Sequence, residues 1–456
     1  MLTVLILAAV TAVISSSFLF RAAQEAKLAT RSVFLNAAFN LAEAGIEEGL
    51  YALNTNGFNS GNGWTLASGS TTDYVKTITT GLDFTQATGA IYIRVDGIAG
   101  AAPVVYGAGV VNFPNQPKLI KQLRVGTGRR KPWSNGMVTK GDITLAVVSA
   151  VDSYDSTVGP YNAATNRTDR ATIATNSAAV AAIELTGASS IYGYVATGGA
   201  DPTAALGRIY GATSPSVPAA PTPYTDPTRV RRDFNTNLPD VAAPGGTAYS
   251  LGAISEFFSS RDLPRVGDVA GSNGRYLYTT PSVSLLLWGK LNIKGPVDLI
   301  VTGNTSMAVG GEVVVGPAGS TNPSLNYYTP GNISIVVAAP GFTNSTGAAE
   351  KTTLWGTAPT GSTQTIALWG AGSSICTIYA PNAVVTVQLA SDVYGAIIAK
   401  ELTLQGGGRF HWDSKLATVE TAHFGFRVNA WSELTFAPGS GHAFARDNRA
   451  PFNTLF

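Results

Sequence analysis

One cysteine, Cys376, and three histidines are all that 456 residues contain of those two types. A single cysteine excludes an intrachain disulfide and any zinc site of the cysteine-rich kind. Three histidines leave little material for metal or acid–base chemistry. Charge is scarce as well. Asp, Glu, Lys and Arg make up 13% of the chain, about half the usual share. The net charge is only +2, and a nucleic-acid binder needs a strong basic excess. A disordered chain is excluded too, because 45% of the residues are hydrophobic. What the chain has instead is glycine, 50 residues of it, with abundant Ala, Thr, Ser and Asn. A polar, uncharged surface of this kind fits an exported assembly better than a cytosolic enzyme. Length alone suggests about two to three domains, or one elongated architecture.

The first twenty residues, MLTVLILAAVTAVISSSFLF, carry no charged side chain. As a helix they match the roughly 30 Å hydrocarbon layer of a bilayer. The basic n-region of a secretory signal peptide is missing, and no small-residue cleavage site follows. The first charges, Arg21, Glu25, Lys27 and Arg31, lie beyond the apolar run. This order favours a chain whose basic leader has been removed, so that Met1 is a processed start; a signal anchor of opposite orientation is the alternative. The helical pattern continues without proline to Asn54, where an Asn/Gly cluster ends it. Leu35, Ala38, Ala42, Ile46, Gly49, Leu50 and Leu53 recur at spacings of mostly three and four, which gives one apolar stripe. Small residues are dense (Ala8, Ala9, Ala12, Ser15 to Ser17, Ala22, Ala23, Ala26, Ala29) and permit close helix–helix approach.

This apolar start, the long helix and the phrase LAEAGIEEGLYALN at Leu41–Asn54 resemble the PilX-like, type IV pilin-like proteins. The resemblance implies processing by a prepilin peptidase, anchoring in the inner membrane, and extraction by the pilus assembly machinery into a helical filament. It implies that Met1, Leu2, Val4, Leu5, Leu7, Val10, Val13, Phe18 and Phe20 form the membrane and polymerisation surface. Leu35, Ala38, Ala42, Ile46, Leu50 and Leu53 would then pack the helix on its own globular part. Major pilins usually carry a glutamate at the fifth position; here it is Leu5, as in PilX-like and tip-type subunits.

Residues 55–136 read as a small antiparallel β region. Its strands are expected at Ile91–Asp96, Val104–Phe113 and Lys118–Val125. The last leads into a basic run (Lys118, Lys121, Arg124, Arg129, Arg130, Lys131) with no acid in it. Without aromatic interleaving this reads as a solvated strand edge rather than a nucleic-acid surface. A contact with Glu43, Glu47 and Glu48 of another copy is a further reading.

From Gly141 onward short alternating runs repeat, broken by Gly, Asn and Asp. Val283, Leu285, Leu287, Leu291, Ile293, Val297, Leu299, Val301, Met307, Val309, Val313 and Val315 all fall on odd positions. The alternation resumes at Ile333–Val337, Ile366–Leu368, Val385–Leu389 and Leu402–Leu404. Strands this short and this closely spaced predict a solenoid of stacked turns. A parallel β-helix over 137–433 fits best, with a β-sandwich second. A Pro-rich segment, 201–265, is expected to wrap or cap it, 339–363 to form a loop, and 434–456 to be a tail. The phrases VDSYDS (Val151–Ser156), YAPNA (from Tyr379), VYGAIIAK (from Val393) and FHWDSKL (from Phe410) resemble a β-helical domain joined to PilX-like N-termini, one without assigned catalysis.

The chemistry-bearing candidates are few. Asp152 and Asp155 read first as turn caps and second as a cation site, for which two carboxylates are too few. His411 and Asp413, two apart on a strand, face one side and suggest a structural hydrogen bond; no nucleophile elbow or zinc motif accompanies them. A β-helix glycosidase or lyase needs clustered acids, and Asp298, Glu312 and Asp392 stand alone. Cys376 reads as a small core residue. Trp288, Trp355, Trp369, Trp412 and Trp431 read as stacking or contact residues, or as glycan platforms where exposed. Asn166, Asn304, Asn332 and Asn344 begin sequons of low weight. The expected fold is therefore α+β, mostly β: a long N-terminal helix, a small antiparallel region and a parallel β-helix. The expected function is that of a non-enzymatic subunit of an extracellular filament, needing no cofactor and no nucleic acid, with itself and the membrane as partners. A low-copy tip subunit or adhesin, whose head binds a surface or glycan, is the alternative.

Overall fold

The structure is a computed structural model and describes residues 1–434, apart from 115, 219–221, 337, 371 and 389–390. Most of the expected tail therefore lies outside the described residues, as do Val337 and Leu389. The chain divides into two compact units.

The first unit holds residues 1–130 and the chain from 420 onward. Its helix runs unbroken over Leu2–Thr55, a rod of about 80 Å. It stops where the sequence places its Asn/Gly cluster. Asn56 turns left-handed at φ 53, and the Gly57 N–H donates to the Ala52 carbonyl at 2.8 Å. The second half of the helix lies on an antiparallel sheet. Thr65–Leu66, Tyr74–Ile78, Ala87–Asp96, Val104–Phe113, Gln116–Arg129 and Phe426–Glu433 are neighbours in that order. Ile91, Ile93 and Val95 face the helix beside Val105 and Val111 of the next strand, and join Ala38, Ala42, Ile46 and Leu53 in one buried cluster. Between them Gly107 and Gly109 let the two backbones meet. A Cβ on Gly109 would lie 1.9 Å from the Ala38 carbonyl oxygen, and one on Gly107 2.4 Å from that of Ala42. Gly-Ala-Gly in mid-strand is therefore a packing device, not a turn.

Two expectations are corrected here. The basic strand Gln116–Arg129 is not a sheet edge, because Phe426–Glu433 pairs along it antiparallel. Lys121 meets Glu433 at 2.5 Å, and the Arg129 guanidinium lies over the Phe426 ring. Phe426–Glu433 thus belongs to this sheet, and residues 420–433 to this unit and not to the solenoid. Glu48 pairs with Lys76 at 2.7 Å within the chain.

The second unit, Lys131–Val419, is a three-faced parallel solenoid. Tyr276–Thr280, Pro296–Val301, Ser324–Thr329 and Thr352–Gly356 stack on one face. Ile254–Phe257, Val283–Leu286, Thr305–Ala308, Ile333–Val336 and Gln364–Trp369 stack on the second. Ser260–Leu263, Lys290–Ile293, Glu312–Val315 and Gly341–Asn344 stack on the third. Alternation drives this: Leu285, Leu291, Ile293, Val297, Leu299, Val301, Met307, Val313 and Val315 are all fully buried. Leu287 and Val309 share the odd numbering but stand at corners in left-handed conformation, both at φ 46. The turns are stitched by side chains as well: the Asn332 N–H donates to Asn304 Oδ1 at 2.9 Å and the Thr365 N–H to Asn332 Oδ1 at 2.8 Å.

The coils do not stack in chain order. The chain begins in mid-solenoid at Met137 and coils outward as far as Arg231. It then returns along the flank. The Phe234 N–H donates to the Thr197 carbonyl, Thr236 pairs with Asn176, the Tyr379 hydroxyl donates to the Pro239 carbonyl, and Asp240 accepts from Thr360 and Asn382. Coiling restarts at Tyr249, at the opposite end, and runs back until the last coil meets the first: Ile397 pairs with Met137, Leu402 with Ile143 and Arg409 with Ala150. Only part of the Pro-rich segment is thus a strap; Ile254–Phe257 and Ser260–Leu263 are coil strands. Likewise 339–363 is not a loop throughout, since Gly341–Asn344 and the fully buried Thr352–Gly356 are strands.

Candidate functional site

Two surfaces stand out, one in each unit. The first is the leading half of the helix. Met1, Leu2, Val4, Leu5, Leu7, Val10, Val13, Phe18 and Phe20 are exposed, from 48% at Val10 to 104% at Met1. The most apolar window has a mean hydropathy of 2.3, and none of it is buried within the chain. Covering nine such side chains would be worth on the order of 20 kcal/mol. The first ion pair on the helix, Arg21 with Glu25 at 3.9 Å, stands just past the apolar run. Further along, Ala38, Ala42, Ile46 and Leu53 are buried against the sheet and Leu35 and Leu50 are half-buried. Leu41, Gly45 and Ala52 complete that face. Helical spacing extended by one residue marks them, and their small size or flanking acids hid them.

The second surface is on the third face of the solenoid, where the first and last coils meet. The pairing of Ala150–Tyr154 with Arg409–Asp413 puts Asp152 beside His411 and Tyr154 beside Asp413. The separate candidates of the sequence thereby become one cluster. His411 Nδ1 and Asp152 Oδ1 are 2.6 Å apart, and both side chains are buried. Residues 155–170 fold back over this face: the Tyr161 hydroxyl donates to Asp152 Oδ2 at 2.6 Å, and Arg167 Nε reaches the same oxygen at 3.1 Å. The Tyr161 and Tyr394 rings both pack against the His411 ring, at centroid distances of 3.9 and 4.7 Å. Asp155 is a turn cap, accepting from the Thr157 N–H and hydroxyl, which hold its carboxyl below the usual range.

Beside this cluster lies a cleft of about 480 Å³, lined by Tyr154, Ser156, Tyr161, Tyr394, Lys415, Thr346 and Ser373 among others. Asp413 sits behind it. Its Oδ1 accepts from the Ser156 and Lys415 N–H groups at 3.1 and 3.2 Å. Burial nevertheless raises the Asp413 carboxyl above the ordinary carboxylate range, with Glu350 adding to the effect. Burial likewise raises the Tyr154 hydroxyl, and Asp413 reinforces it. Lys415 Nζ meets Glu350 Oε1 at 2.5 Å. Tyr161, Arg167 and Glu350 escaped the sequence reading because no local spacing links them to Asp152 or His411; the fold-back of residues 155–170 and the stacking of the coils bring them there.

The other candidates are placed simply. Asp298 pairs with Arg275, Glu312 with Lys290 and Asp392 with Arg409. Among the described residues no three His, Cys, Asp or Glu side chains converge as a metal would require. Cys376 is buried, and its thiol is pushed up to about 12 by desolvation. Trp355 and Trp412 are buried, whereas Trp288, Trp369 and Trp431 are exposed.

Residues 249–419 match a family model described as a domain of unknown function (DUF7305). The match starts where coiling restarts and ends where the solenoid ends. No curated protein matches the chain. Two solved structures align over much of it. One is the competence-associated pilin ComZ from Thermus thermophilus, at 10% identity over 87% of this chain and 96% of that one, with a TM-score of 0.22. The other is an ice-binding protein from the Antarctic ascomycete Antarctomyces psychrotrophicus, at 14% identity over 61% and 93%, also at 0.22. Neither superposition is close enough to carry a function across.

Proposed function

We propose that this chain is a structural, non-enzymatic subunit of a type IV pilus-like filament, of the PilX-like kind. Its helix anchors it in a membrane before assembly and packs against copies of itself afterwards, and the solenoid is what it presents at the cell surface. The observation that carries this reading is the exposed apolar run Leu2–Phe20, continuous with an amphipathic half buried on the protein's own sheet. A helix that is apolar all round needs a wholly apolar surround. Lipid provides one, and a bundle of like helices with close small-residue contacts provides the other. A heterologous contact that does not close gives a fibre. Asp298, Glu312 and Asp392, each paired with its own cation and not grouped with one another, support a role without catalysis.

The test is fractionation followed by shearing. The full chain is expected in the membrane fraction of cells lacking the assembly machinery and in the sheared filament fraction of cells that have it. A chain that stays soluble in both contradicts the reading. A low-copy tip role is the second reading, favoured by Leu5 in place of the acid usual in major subunits; it predicts labelling at filament ends only.

A further inference from the structure

Strand Val104–Phe113 runs down the helix toward its apolar start. Gly107 lies against Ala42, Gly109 against Ala38, and the Phe113 ring meets Phe34 edge-on at 4.8 Å. The end of that strand is therefore the end of the sheet nearest the apolar run. A pocket of about 680 Å³ opens there, with Lys27, Thr30 and Arg31 of the helix on one side and Gln86, Phe113 and Pro117 opposite. That volume is in the range of small-molecule sites.

Its charge is one-sided. Lys27 and Arg31 are both exposed and stand four residues apart on one helix face, where like charges repel. Neither has an ion-pair partner among the described residues, whereas Arg21, earlier on the helix, is paired with Glu25. Among the described residues that line the pocket there is no acid. An anion held between the two cations would relieve their repulsion.

The helix points to the source of that anion. Lys27 and Arg31 follow Phe20 by about 10 and 16 Å along the axis. The Cα–Cβ bonds of a helix tilt toward its N-terminus, and long basic side chains snorkel to a bilayer surface. Both cations thus lean toward the phosphate layer of a membrane that holds Leu2–Phe20. The rest of the lining is uncharged. The Thr30 hydroxyl donates to the Ala26 carbonyl at 2.8 Å and keeps its lone pairs to accept. The Gln86 amide can donate and accept. An amine on the headgroup would meet repulsion from Lys27 and Arg31, whereas glycerol hydroxyls would not.

We propose that this pocket binds the headgroup of an anionic phospholipid of the phosphatidylglycerol kind, its phosphate between Lys27 and Arg31 and its glycerol hydroxyls on Thr30 and Gln86. The proposal rests on the membrane-anchor reading, since anchoring is what brings lipid to this pocket.

Two measurements on the full chain read the anchor and the pocket apart. Flotation with vesicles of phosphatidylcholine alone tests the anchor. Native mass spectrometry in mild detergent, with equimolar phosphatidylglycerol and phosphatidylcholine, tests the pocket. Phosphatidylglycerol is expected to bind in preference. Lys27→Gln and Arg31→Gln are each expected to cut that preference about fivefold, the usual worth of one basic side chain at an anionic surface. Gln86→Ala changes no charge and is expected to weaken binding about two- to tenfold. Arg21→Gln, nearer the bilayer but outside the pocket, is expected to leave the preference nearly unchanged, and all four variants to float as wild type does. Flotation with equal uptake of both lipids, an unchanged preference in Lys27→Gln and Arg31→Gln, or an equal loss through Arg21→Gln overturns the proposal and leaves the anchor standing. Displacement of the lipid by millimolar inorganic phosphate also overturns it, in favour of a free-anion site. Failure to float at all overturns the anchor reading, and this proposal with it.

Discussion

Replacing Gly109 by alanine tests the helix–sheet contact at its tightest point. The added Cβ would stand 1.9 Å from the Ala38 carbonyl oxygen, 2.6 Å from the Ala42 nitrogen and 2.8 Å from Leu41 Cβ. Non-bonded heavy atoms settle near 3.5–4.0 Å, so strand and helix must part by more than an ångström. Backbone lies on both sides of the clash, and no side chain can swing away to relieve it. Overpacking of this kind costs about 1–3 kcal/mol, occasionally more. The matched control is Gly126→Ala in the neighbouring strand, where the new methyl would lie 3.6 Å from Ala430 Cβ, an ordinary contact. Hydrogen exchange on the full chain reads the difference. Amides of residues 38–53 and 104–113 are expected to open about 5- to 150-fold more readily in Gly109→Ala, the conversion of that energy, and to be unmoved in Gly126→Ala. Equal protection in the two variants would refute the close-packing argument.

Three further outcomes follow from the same structure. Val13→Arg places a charge in the middle of the apolar run, at about 2.5–3.5 kcal/mol against membrane insertion; fractionation is expected to show less of it in membranes than wild type. Leu299→Ala, in the solenoid core between Tyr278 and Tyr327, is expected to cost about 2–5 kcal/mol and to shift the urea midpoint of that unit. Asp413 has its folded carboxyl pKa raised by burial. Its favourable contribution is therefore present below the unfolded carboxylate pKa and lost as pH rises through the folded value. Asp413→Asn does not titrate, so its stability relative to wild type is expected to improve as pH rises through that range. A difference independent of pH in urea melts would remove burial as the cause.

The sequence makes parts of this molecule legible and not others, for physical reasons. The helix is written locally: no proline for more than fifty residues, an apolar stripe, and an Asn-Gly stop that the chain uses within a residue or two. Strand existence is local as well, because alternation such as Val283 to Val315 needs only period two. Coil order is not local. Nothing near Met137 says that it stacks on Ile397, nor anything near Phe426 that it leaves the solenoid and pairs with Arg129. The corner residues Leu287 and Val309 mislead because they continue the odd-number pattern through a turn. The site suffered likewise: Asp152 and the His411/Asp413 pair stood out separately, and only the register of the first coil against the last joins Asp152 and Tyr154 to His411, Asp413 and Lys415, while the fold-back of residues 155–170 adds Tyr161.

The most direct test of the central claim is cryo-electron microscopy of filaments sheared from the producing cells, with density traced to sequence. This chain is expected in the fibre, with Leu2–Phe20 enclosed among neighbouring helices and Lys131–Val419 facing solvent. A fibre built wholly of another protein, with this chain found in neither its shaft nor its tip, would contradict it.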